Sequence, residues 1–161
     1  MAQNFDVVVI GAGPGGYVAA IKSAQLGLKT AIIEREYLGG VCLNVGCIPS
    51  KAMITATHFL HRAQHDAPTM GINIKDISVD MKKLVNWKQS VCDKMSGGVG
   101  QLLKGNSVTI LSGEAEFKNS KELTVKSKAG NESVTAQNFI LATGSRPIEI
   151  PGFKFDEKDI L

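Results

Sequence analysis

A glycine-rich turn near the N-terminus constrains the fold of this chain more than any other feature. The segment GAGPGG (residues 11–16) follows the apolar run FDVVVI (residues 5–10) and precedes a stretch of small and apolar residues that ends at Gly27. A second short apolar run follows at residues 29–34, so the pattern predicts a strand, a turn, a helix and a strand. Such β-turn-α-β units occur in parallel sheets covered by helices. The sequence therefore predicts an α/β fold with a Rossmann-like parallel sheet.

The same turn matches the G-x-G-x-x-G fingerprint of dinucleotide-binding proteins. Its three glycines are Gly11, Gly13 and Gly16, and the acidic residue Glu34 stands at the end of the next predicted strand. The glycines would permit the tight turn, the approach of a pyrophosphate and close helix packing, in that order. The pyrophosphate would lie on free N–H groups at the helix start, and Glu34 would accept hydrogen bonds from a ribose. The fingerprint does not separate FAD from NAD, and a turn without a ligand is the alternative.

Length and composition are those of an ordinary soluble domain. The chain has 161 residues, of which 43% are apolar and 20% are charged. Its net charge of +3 is spread without a basic block, which argues against a nucleic-acid partner. No apolar run approaches the roughly 18 residues needed to cross a bilayer, and the start MAQNFDVVVIG lacks the basic leader of a secretory signal. We therefore expect one domain in the cytoplasm, with no nucleic-acid or membrane partner.

Helical periodicity appears twice in the middle of the chain. Residues 37–66 are expected to form a glycine-rich loop and then a largely helical stretch that is interrupted near Pro49, and residues 66–76 a loop. A long helix is predicted from about residue 80 to residue 104, with glycines that weaken its C-terminal part. Its expected apolar face consists of Met81, Leu84, Val85, Val91, Cys92, Met95, Leu102 and Leu103.

Short apolar segments after this helix predict a series of short strands, and the fold is expected to include a small antiparallel β-meander. The expected strands are Val108–Leu111, Ala115–Lys118, Glu122–Ser127 and Ser133–Ala136. The tripeptide AGN (residues 129–131) is expected to form a hairpin turn. The segment NFILATGS (residues 138–145) is predicted as a separate buried strand that runs into a turn.

Two cysteines share the segment GGVCLNVGCIPSK (residues 39–51). Cys42 and Cys47 are five residues apart, which in a regular helix places their Cα atoms roughly 8–9 Å apart. A disulfide requires a Cα separation within about 7 Å. The segment must therefore depart from helical geometry if the two sulfurs bond, and Gly46 and Pro49 supply the means.

Three interpretations of this cysteine pair compete. A structural zinc site needs four ligands, and Cys92 with the three histidines does not form the second ligand pair that such sites use. Two inert core cysteines are the second possibility. A redox dithiol beside a flavin is the third, and it is favoured because structural disulfides are rare in the cytoplasm and a nucleotide turn lies nearby. A thiolate near a helix N-terminus and Lys51 would then have a depressed pKa.

Three segments carry a resemblance to a known family: VVVIGAGPGGYVAAIKSAQLGLKT, GGVCLNVGCIPSKAM and FILATGSRP. They resemble the group I flavoprotein disulfide reductases of the pyridine nucleotide–disulfide oxidoreductase family, and among these the dihydrolipoyl dehydrogenases. Glutathione reductases commonly carry Lys where Ser50 stands, and mercuric reductases commonly carry Val where Leu43 stands. Fragments of these two reductases, and a nucleotide-binding module without disulfide chemistry, are the alternative functions.

The resemblance implies a flavoenzyme that oxidises protein-bound dihydrolipoamide. Electrons would pass from the substrate dithiol to the cysteine pair, then to FAD and finally to NAD. Cys42 would exchange with the substrate, Cys47 would lie against the flavin, and Lys51 would place a cation near the flavin ring. The implied partners are lipoyl domains of 2-oxo acid dehydrogenase complexes and the second subunit of a homodimer.

The same resemblance assigns residues to FAD. Thr143, Gly144 and Ser145 match the family's second FAD motif, while Gly113 and Ala115 match a segment whose backbone meets the adenine. Ala115 stands where Gly is common, which a backbone contact tolerates unless φ is positive. The predicted catalytic residues are Cys42 and Cys47, and no metal site is expected. The predicted cofactor-binding residues are Gly11, Gly13, Pro14, Gly15, Gly16, Glu34, Arg35, Gly40, Val41, Cys42, Lys51, Gly113, Ala115, Thr143, Gly144 and Ser145.

Members of this family are much longer than 161 residues. They continue with an NAD-binding domain, a segment that completes the FAD domain, and an interface domain with a late His–Glu pair that serves the partner's active site. We therefore expect residues 1–150 to be the N-terminal portion of a truncated FAD-binding domain. Residues 151–161 would be a linker toward an NAD domain absent from this chain, and the chain alone is expected not to be fully active.

Several other residues that invite a functional interpretation are predicted to be structural. His58, His61 and His65 share one face of a predicted helix, and an exposed histidine face is expected there rather than a metal site. Cys92 is expected to be a small core residue and Trp87 a packing residue.

Overall fold

The structure is a computed structural model that describes residues 3–156 and residue 158. Its strands are β1 (Gln3–Ile10), β2 (Thr30–Glu34), β3 (Thr109–Ser112), β4 (Glu114–Asn119), β5 (Glu122–Ser127) and β6 (Gly130–Leu141). Its helices are α1 (Pro14–Gln25), α2 (Gly40–Asn44), α3 (Cys47–His65) and α4 (Met81–Gly105). A short 3-10 helix, Ala67–Met70, lies within the predicted loop after α3.

The strands form one six-stranded sheet in the order β3-β2-β1-β6-β5-β4. β1 is central and runs parallel to both β2 and β6, and β3 extends the parallel part beyond β2. β4, β5 and β6 pair antiparallel and form the meander. The predicted α/β fold, with its β-turn-α-β unit, parallel sheet and small meander, is therefore confirmed.

β6 is longer than predicted and joins the two parts of the sheet. The expected strands at 133–136 and from 138 onward are one continuous strand, so the predicted break is wrong. The polar residues Gln137 and Asn138 suggested the break, yet Asn138 pairs with Val7 in the parallel ladder. β6 pairs with β5 only as far as Thr135, and its parallel ladder with β1 continues past the polar pair to Leu141. The hairpin turn before β6 lies at residues 128–129, one residue earlier than predicted.

The core lies on both faces of the sheet, as the alternation of side chains in β-strands requires. On one face, Val7, Val9 and Ile32 pack in a cluster to which α1 contributes Ala20 and α4 contributes Leu103. On the opposite face, Val8, Ala31 and Ile33 pack in a second cluster with residues of the meander, among them Leu123, Val125 and Val134. The run FDVVVI is therefore buried on both faces, as its near-continuous apolar character predicted.

α4 begins after Asp80, whose side chain caps it by accepting a hydrogen bond from the backbone N–H of Lys83 at 3.0 Å. Its first eleven residues contain no buried residue. The buried residues are Cys92, Val99 and Leu103. Four members of the expected apolar face are exposed: Met81, Val85, Met95 and Leu102. A helix of 25 residues is about 37 Å long, whereas the eight-residue β1 spans about 26 Å, so α4 extends past the sheet that it covers.

α4 continues through its glycines to Gly105, which confirms the predicted long helix. Gly100 has a packing role, since a Cβ atom there would lie 3.3 Å from Cδ1 of Leu38. Close contact between α4 and the segment before α2 therefore favours a small residue at this position.

The last part of the described chain follows β6 without a further helix or strand among residues 142–156. An isolated antiparallel bridge joins Ile150 to Phe153. Of the predicted linker at 151–161, residue 157 and residues 159–161 lie outside the described part, as do residues 1–2 of the predicted domain. Within the described residues, none of the helices has the length and apolar character that a transmembrane helix requires.

Candidate functional site

The glycine-rich turn joins the C-terminal end of β1 to the start of α1, and two of its glycines are fixed by contacts with the backbone. Gly11 has a positive φ of 98°, and a Cβ atom there would lie 2.3 Å from the carbonyl oxygen of Ala142. A Cβ atom on Gly16 would lie 1.8 Å from the carbonyl oxygen of Gly11. No side chain fits at either position, which confirms the predicted tight turn and close helix packing.

Gly13 is a different case. It is the N-cap of α1, and a Cβ atom there would come no closer to another residue than 3.9 Å, to Cα of Gly40. Packing within the protein therefore does not require this glycine. In the described part of the chain no side chain caps the helix start, which has Pro14 in its first turn. Open space above Gly13 and uncapped N–H groups at a helix N-terminus fit a bound pyrophosphate.

A cleft of about 200 Å³ opens beside this turn, at the carboxyl ends of the parallel strands. Ligands of open α/β sheets bind at this edge. Six of the predicted cofactor-binding residues line the cleft: Gly11, Glu34, Arg35, Gly113, Ala115 and Thr143. Ile10, Ile33 and Glu114 also line it and were not predicted. The sequence could have indicated Glu114, because it lies between two predicted residues. It could also have indicated the two isoleucines, because they lie at the ends of predicted strands.

Glu34 is held in a fixed orientation in the cleft. Its Oε2 accepts a hydrogen bond from the backbone N–H of Ala12 at 2.7 Å. Its Oε1 accepts from the N–H groups of Arg35 at 2.8 Å and Glu36 at 2.9 Å. A carboxylate has about four acceptor positions, so these bonds leave capacity for one more donor. The half-buried carboxylate is therefore preorganised and can accept a hydrogen bond from a ribose hydroxyl.

The segment after β3 forms another wall of the cleft. The N–H of Gly113 donates to the carbonyl oxygen of Glu34 at 2.9 Å, and a Cβ atom on Gly113 would lie 2.5 Å from the carbonyl oxygen of Lys126. Gly113 is therefore required by the approach of two backbone segments. Ala115 lies within β4, where it pairs with Val125, and its φ is not positive. The expectation that alanine is tolerated there is confirmed for the backbone.

The second predicted FAD motif follows β6. The N–H of Ala142 donates to the carbonyl oxygen of Ile10 at 2.8 Å, so the motif begins directly beside the glycine-rich turn. Thr143 lines the cleft, while Gly144 and Ser145 are exposed and lie outside its wall. The structure thus brings the first residue of this motif to the cleft but not the other two.

Two exposed ion pairs flank the cleft. Arg35 lies 3.4 Å from Glu114, and Arg146 lies 2.5 Å from Glu36. The second pair connects the segment after β6 to the segment after β2. Arg146 and Glu36 were not among the predicted residues, and opposite charges 110 positions apart in the sequence gave no signal of their proximity.

The cysteine segment consists of two helices with a break between them. α2 carries Cys42, α3 begins at Cys47, and Val45 and Gly46 between them have non-helical backbone angles. The predicted departure from helical geometry, with Gly46 as one of its means, is confirmed. Pro49 does not contribute in the predicted way, because it lies in the first turn of α3, where a proline is tolerated and the helix continues past it.

This segment lies against the glycine-rich turn. The N–H of Gly39 donates to the carbonyl oxygen of Ala12 at 2.8 Å. A Cβ atom on Gly40 would lie 2.7 Å from Cα of Gly13, so the two backbones are as close as glycine allows. Val41, the next predicted residue, is exposed. The start of α2 and the uncapped start of α1 are therefore neighbours.

Cys42 and Cys47 are both free thiols, with Cys42 half-buried and Cys47 exposed. The pKa of Cys42 is raised, chiefly by a hydrogen bond with the Cys47 side chain, and also by burial and by the negative charge that Cys47 can carry. The positive charge of Lys51 lowers this pKa without overcoming those effects. For Cys42, the predicted depressed pKa is therefore wrong, because the neighbouring thiol outweighs the lysine.

The other residues that invite a functional interpretation lie on α3 and α4. Cys92 is fully buried, which confirms its expected place in the core. His61 and His65 have ring centroids 4.5 Å apart on the exposed side of α3. Trp87 keeps 44% of its surface exposed, so its packing role is partial. Across residues 3–156, no group of three or more His, Cys, Asp and Glu side chains is placed to hold a metal ion.

With this geometry in place, comparison with known proteins identifies the family. The family model of the pyridine nucleotide-disulphide oxidoreductases matches residues 5–160 of the chain. The chain belongs to this family. It is 53% identical over 153 residues to the dihydrolipoyl dehydrogenase of Bacillus subtilis, which covers 95% of this chain and 32% of that protein. It is 49% identical to the dihydrolipoyl dehydrogenase of Halobacterium salinarum, and that match covers all of this chain and 34% of the relative. The chain thus spans about a third of the length of these relatives.

A solved structure supports the same family and fold. The copper(II) complex of RclA, an HOCl-induced flavoprotein disulfide reductase from Escherichia coli, is similar to this chain with a TM-score of 0.75. The sequences are 26% identical, and the match covers 94% of this chain and 31% of that one. The Rossmann-like architecture predicted from the glycine-rich turn is therefore that of a solved member of the disulfide reductases.

Proposed function

We propose that this chain is part of an FAD-dependent disulfide oxidoreductase and that it carries the redox disulfide. The observation that carries the proposal is the contact between the two motifs: Gly39 and Gly40, which precede Cys42 by three and two residues, lie against Ala12 and Gly13 of the dinucleotide turn. A dithiol beside a dinucleotide site suits a two-electron relay, whereas a nucleotide-binding module alone would not need the pair.

We propose FAD as the dinucleotide in the cleft. The uncapped start of α1 would hold the pyrophosphate, and Glu34 would hold the adenosine ribose. Gly113, Ala115 and Thr143, with Gly144 and Ser145 after them, would complete the contacts. Lys51 would place its charge beside the flavin. When bound, FAD would supply a two-electron acceptor next to the cysteine pair.

The thiol chemistry follows from the cysteine pair itself. A substrate thiolate attacks the Cys42 sulfur of the oxidised pair, the Cys42–Cys47 bond breaks, and its electron pair leaves on Cys47 as a thiolate. The second substrate thiolate then attacks the substrate sulfur bonded to Cys42, which forms the substrate disulfide and releases Cys42. The raised pKa of Cys42 favours uptake of one substrate proton there, and the other proton passes to solvent. Exposure does not select Cys42 as the attacked sulfur, because Cys47 is the more exposed thiol. The order of attack is therefore a prediction from the family resemblance.

We propose dihydrolipoamide as the substrate dithiol and NAD as the final acceptor of the whole protein. The relatives named dihydrolipoyl dehydrogenase are 45–53% identical to this chain, and the partners would be lipoyl domains of 2-oxo acid dehydrogenase complexes and a second subunit. Residues 1–150 would be the N-terminal portion of the FAD domain, and residues 151–161 would lead toward the NAD domain. We place this protein in the cytoplasm.

A thiol-exchange experiment tests the proposal on the chain itself. The chain is oxidised, incubated with dihydrolipoamide or with the monothiol glutathione, alkylated, and mapped by mass spectrometry. We expect a Cys42–Cys47 disulfide that dihydrolipoamide reduces completely and a Cys92 that stays reduced throughout. Cys92→Ser is the matched control and should behave as the wild type. A disulfide between Cys92 and either cysteine, or no disulfide at all, would remove the redox-pair assignment.

A further inference from the structure

We propose that Ser96 and Asn44 position the Cys42–Cys47 dithiol: their hydrogen bond ties α4 to α2 and sets how readily the two thiols form a disulfide. The inference rests on the proposed function, because it concerns the same cysteine pair. Neither residue belongs to the predicted site, and Ser96 comes from a helix 52 positions away in the sequence.

The side chain of Asn44 is bonded on both ends. Its Nδ2 donates to the carbonyl oxygens of Leu38 at 3.0 Å and Gly40 at 2.9 Å. Its Oδ1 accepts a hydrogen bond from Oγ of Ser96 at 2.9 Å. Asn44 is the last residue of α2, so it stands between Cys42 and Cys47. The Asn44 side chain therefore connects the C-terminal end of α2 to the loop before α2, to the first residue of α2 and to α4.

Ser96 lies on the buried face of α4. Cys92, Val99 and Leu103 lie on the same face at helical spacing, and all three are buried. A hydroxyl on such a face needs a hydrogen-bond partner, and Asn44 provides it. One turn further along, Gly100 allows α4 to approach Leu38 closely. The contact between α4 and the cysteine segment is thus built from packing as well as from the hydrogen bond.

The break between the helices explains why this bond matters for the thiols. Val45 and Gly46 lack helical geometry, so the segment between Cys42 and Cys47 is not fixed by a continuous helix. Restricting the segment reduces the conformational freedom that is lost when the two sulfurs bond, which favours the disulfide. The hydrogen bond between the thiols, which raises the pKa of Cys42, is consistent with a reduced pair already held in contact.

The test measures the redox equilibrium of the pair in the 161-residue chain. Protein dithiol and glutathione disulfide react to give protein disulfide and two molecules of glutathione, and mass mapping gives the equilibrium constant. Losing one hydrogen bond should lower this constant by about 2- to 10-fold in Ser96→Ala, in favour of the reduced form. The pKa of Cys42, from the pH dependence of its alkylation, should fall in the same variant because its contact with Cys47 loosens.

Two further variants separate positioning from a general effect on α4. Ser90→Ala makes the same chemical change on an exposed serine of α4 that bonds only within its own helix, to the carbonyl oxygen of Trp87, and should leave both readouts unchanged. Ser96→Thr keeps the hydroxyl and should restore both. The inference is overturned if Ser96→Ala matches the wild type, or if Ser90→Ala shifts the equilibrium equally. A wild type that forms no Cys42–Cys47 disulfide would overturn the proposed function and this inference with it.

Discussion

The glycine-rich turn and the cysteine segment lie against each other but are held in place by different means. In the turn, Gly11 and Gly16 are required because backbone atoms occupy the space of a side chain. In the cysteine segment, the side chain of Asn44 makes hydrogen bonds to its own loop and to Ser96 of α4. The turn is therefore fixed by local sterics and the cysteine segment by a contact between distant parts of the chain.

This difference suggests different tolerances to substitution. A turn held by backbone contacts has no low-energy alternative, so a single added methyl group should affect the whole domain. A segment held by hydrogen bonds can change its geometry by degrees, which suits a site whose thiols must open and close a disulfide. The substitutions below test this contrast, beginning with the largest expected effect.

Gly16→Ala should have the largest effect on stability. The added Cβ atom would lie 1.8 Å from the carbonyl oxygen of Gly11, and backbone cannot rotate away as a flexible side chain can. We expect a loss of about 3 kcal/mol in the free energy of unfolding, the upper end for overpacking, measured by urea denaturation. Gly15→Ala is the matched control, since nothing lies within 4 Å of its Cβ position, and it should change stability by less than about 1 kcal/mol. Equal effects of the two substitutions would contradict the steric account of the turn.

Glu34→Ala should weaken FAD binding by about 1–3 kcal/mol, because a charged hydrogen-bond acceptor for the ribose is lost. Three backbone N–H groups also lose their partner, so the cleft wall should become less ordered. Titration calorimetry with FAD measures the affinity. Glu116→Ala removes another glutamate, one that pairs with Lys126 on the meander, and it should leave the affinity unchanged. An unchanged affinity in Glu34→Ala would mean that the carboxylate only supports the turn.

The pH dependence of Cys42 tests the contacts within the cysteine segment. Its raised pKa means that thiolate forms, and alkylation accelerates, only at higher pH than for an ordinary cysteine. Cys47→Ala removes the largest cause of the shift, so the alkylation profile of Cys42 should move to lower pH. The positive charge of Lys51 lowers the pKa of Cys42. Lys51→Met removes this charge, so the alkylation profile should move to higher pH. Movement of the Cys47→Ala profile to higher pH would show that the thiols are not in contact, and movement of the Lys51→Met profile to lower pH would show that the lysine does not act on Cys42.

Arg146→Ala should have the smallest effect. The ion pair with Glu36 connects two segments beside the cleft, but both side chains are exposed. Exposed pairs are usually worth about 0–1 kcal/mol because water screens them. We expect a change in the free energy of unfolding below about 1 kcal/mol by urea denaturation, and a larger loss would mean that the pair closes the cleft wall.

The sequence predicted best what local rules decide. The turn, β1, α1 and β2 follow from glycine sterics and hydrophobic periodicity over about 30 residues, and the structure confirms all four. The cleft also followed in large part, since the ends of parallel strands meet at one edge of the sheet.

Features that depend on distant contacts were not predicted. β6 continues through Gln137 and Asn138 because its parallel ladder with β1 runs on to Leu141, which no local pattern reveals. The raised pKa of Cys42 depends on the side chain of Cys47 coming into contact after the break in the helix. Ser96 is one of many serines in the sequence, and only the packing of α4 shows that it meets Asn44.

We propose that the glycine-rich turn and the cysteine segment form one redox site, and the visible spectrum of the FAD-loaded chain tests this. On stepwise anaerobic reduction, we expect new absorbance at wavelengths longer than the bands of oxidised flavin, because a thiolate of the pair would lie beside the ring. Cys92→Ser should keep this absorbance and Cys47→Ser should lose it. Flavin that is reduced without the long-wavelength band in the wild type, or a band that survives in Cys47→Ser, would contradict the claim.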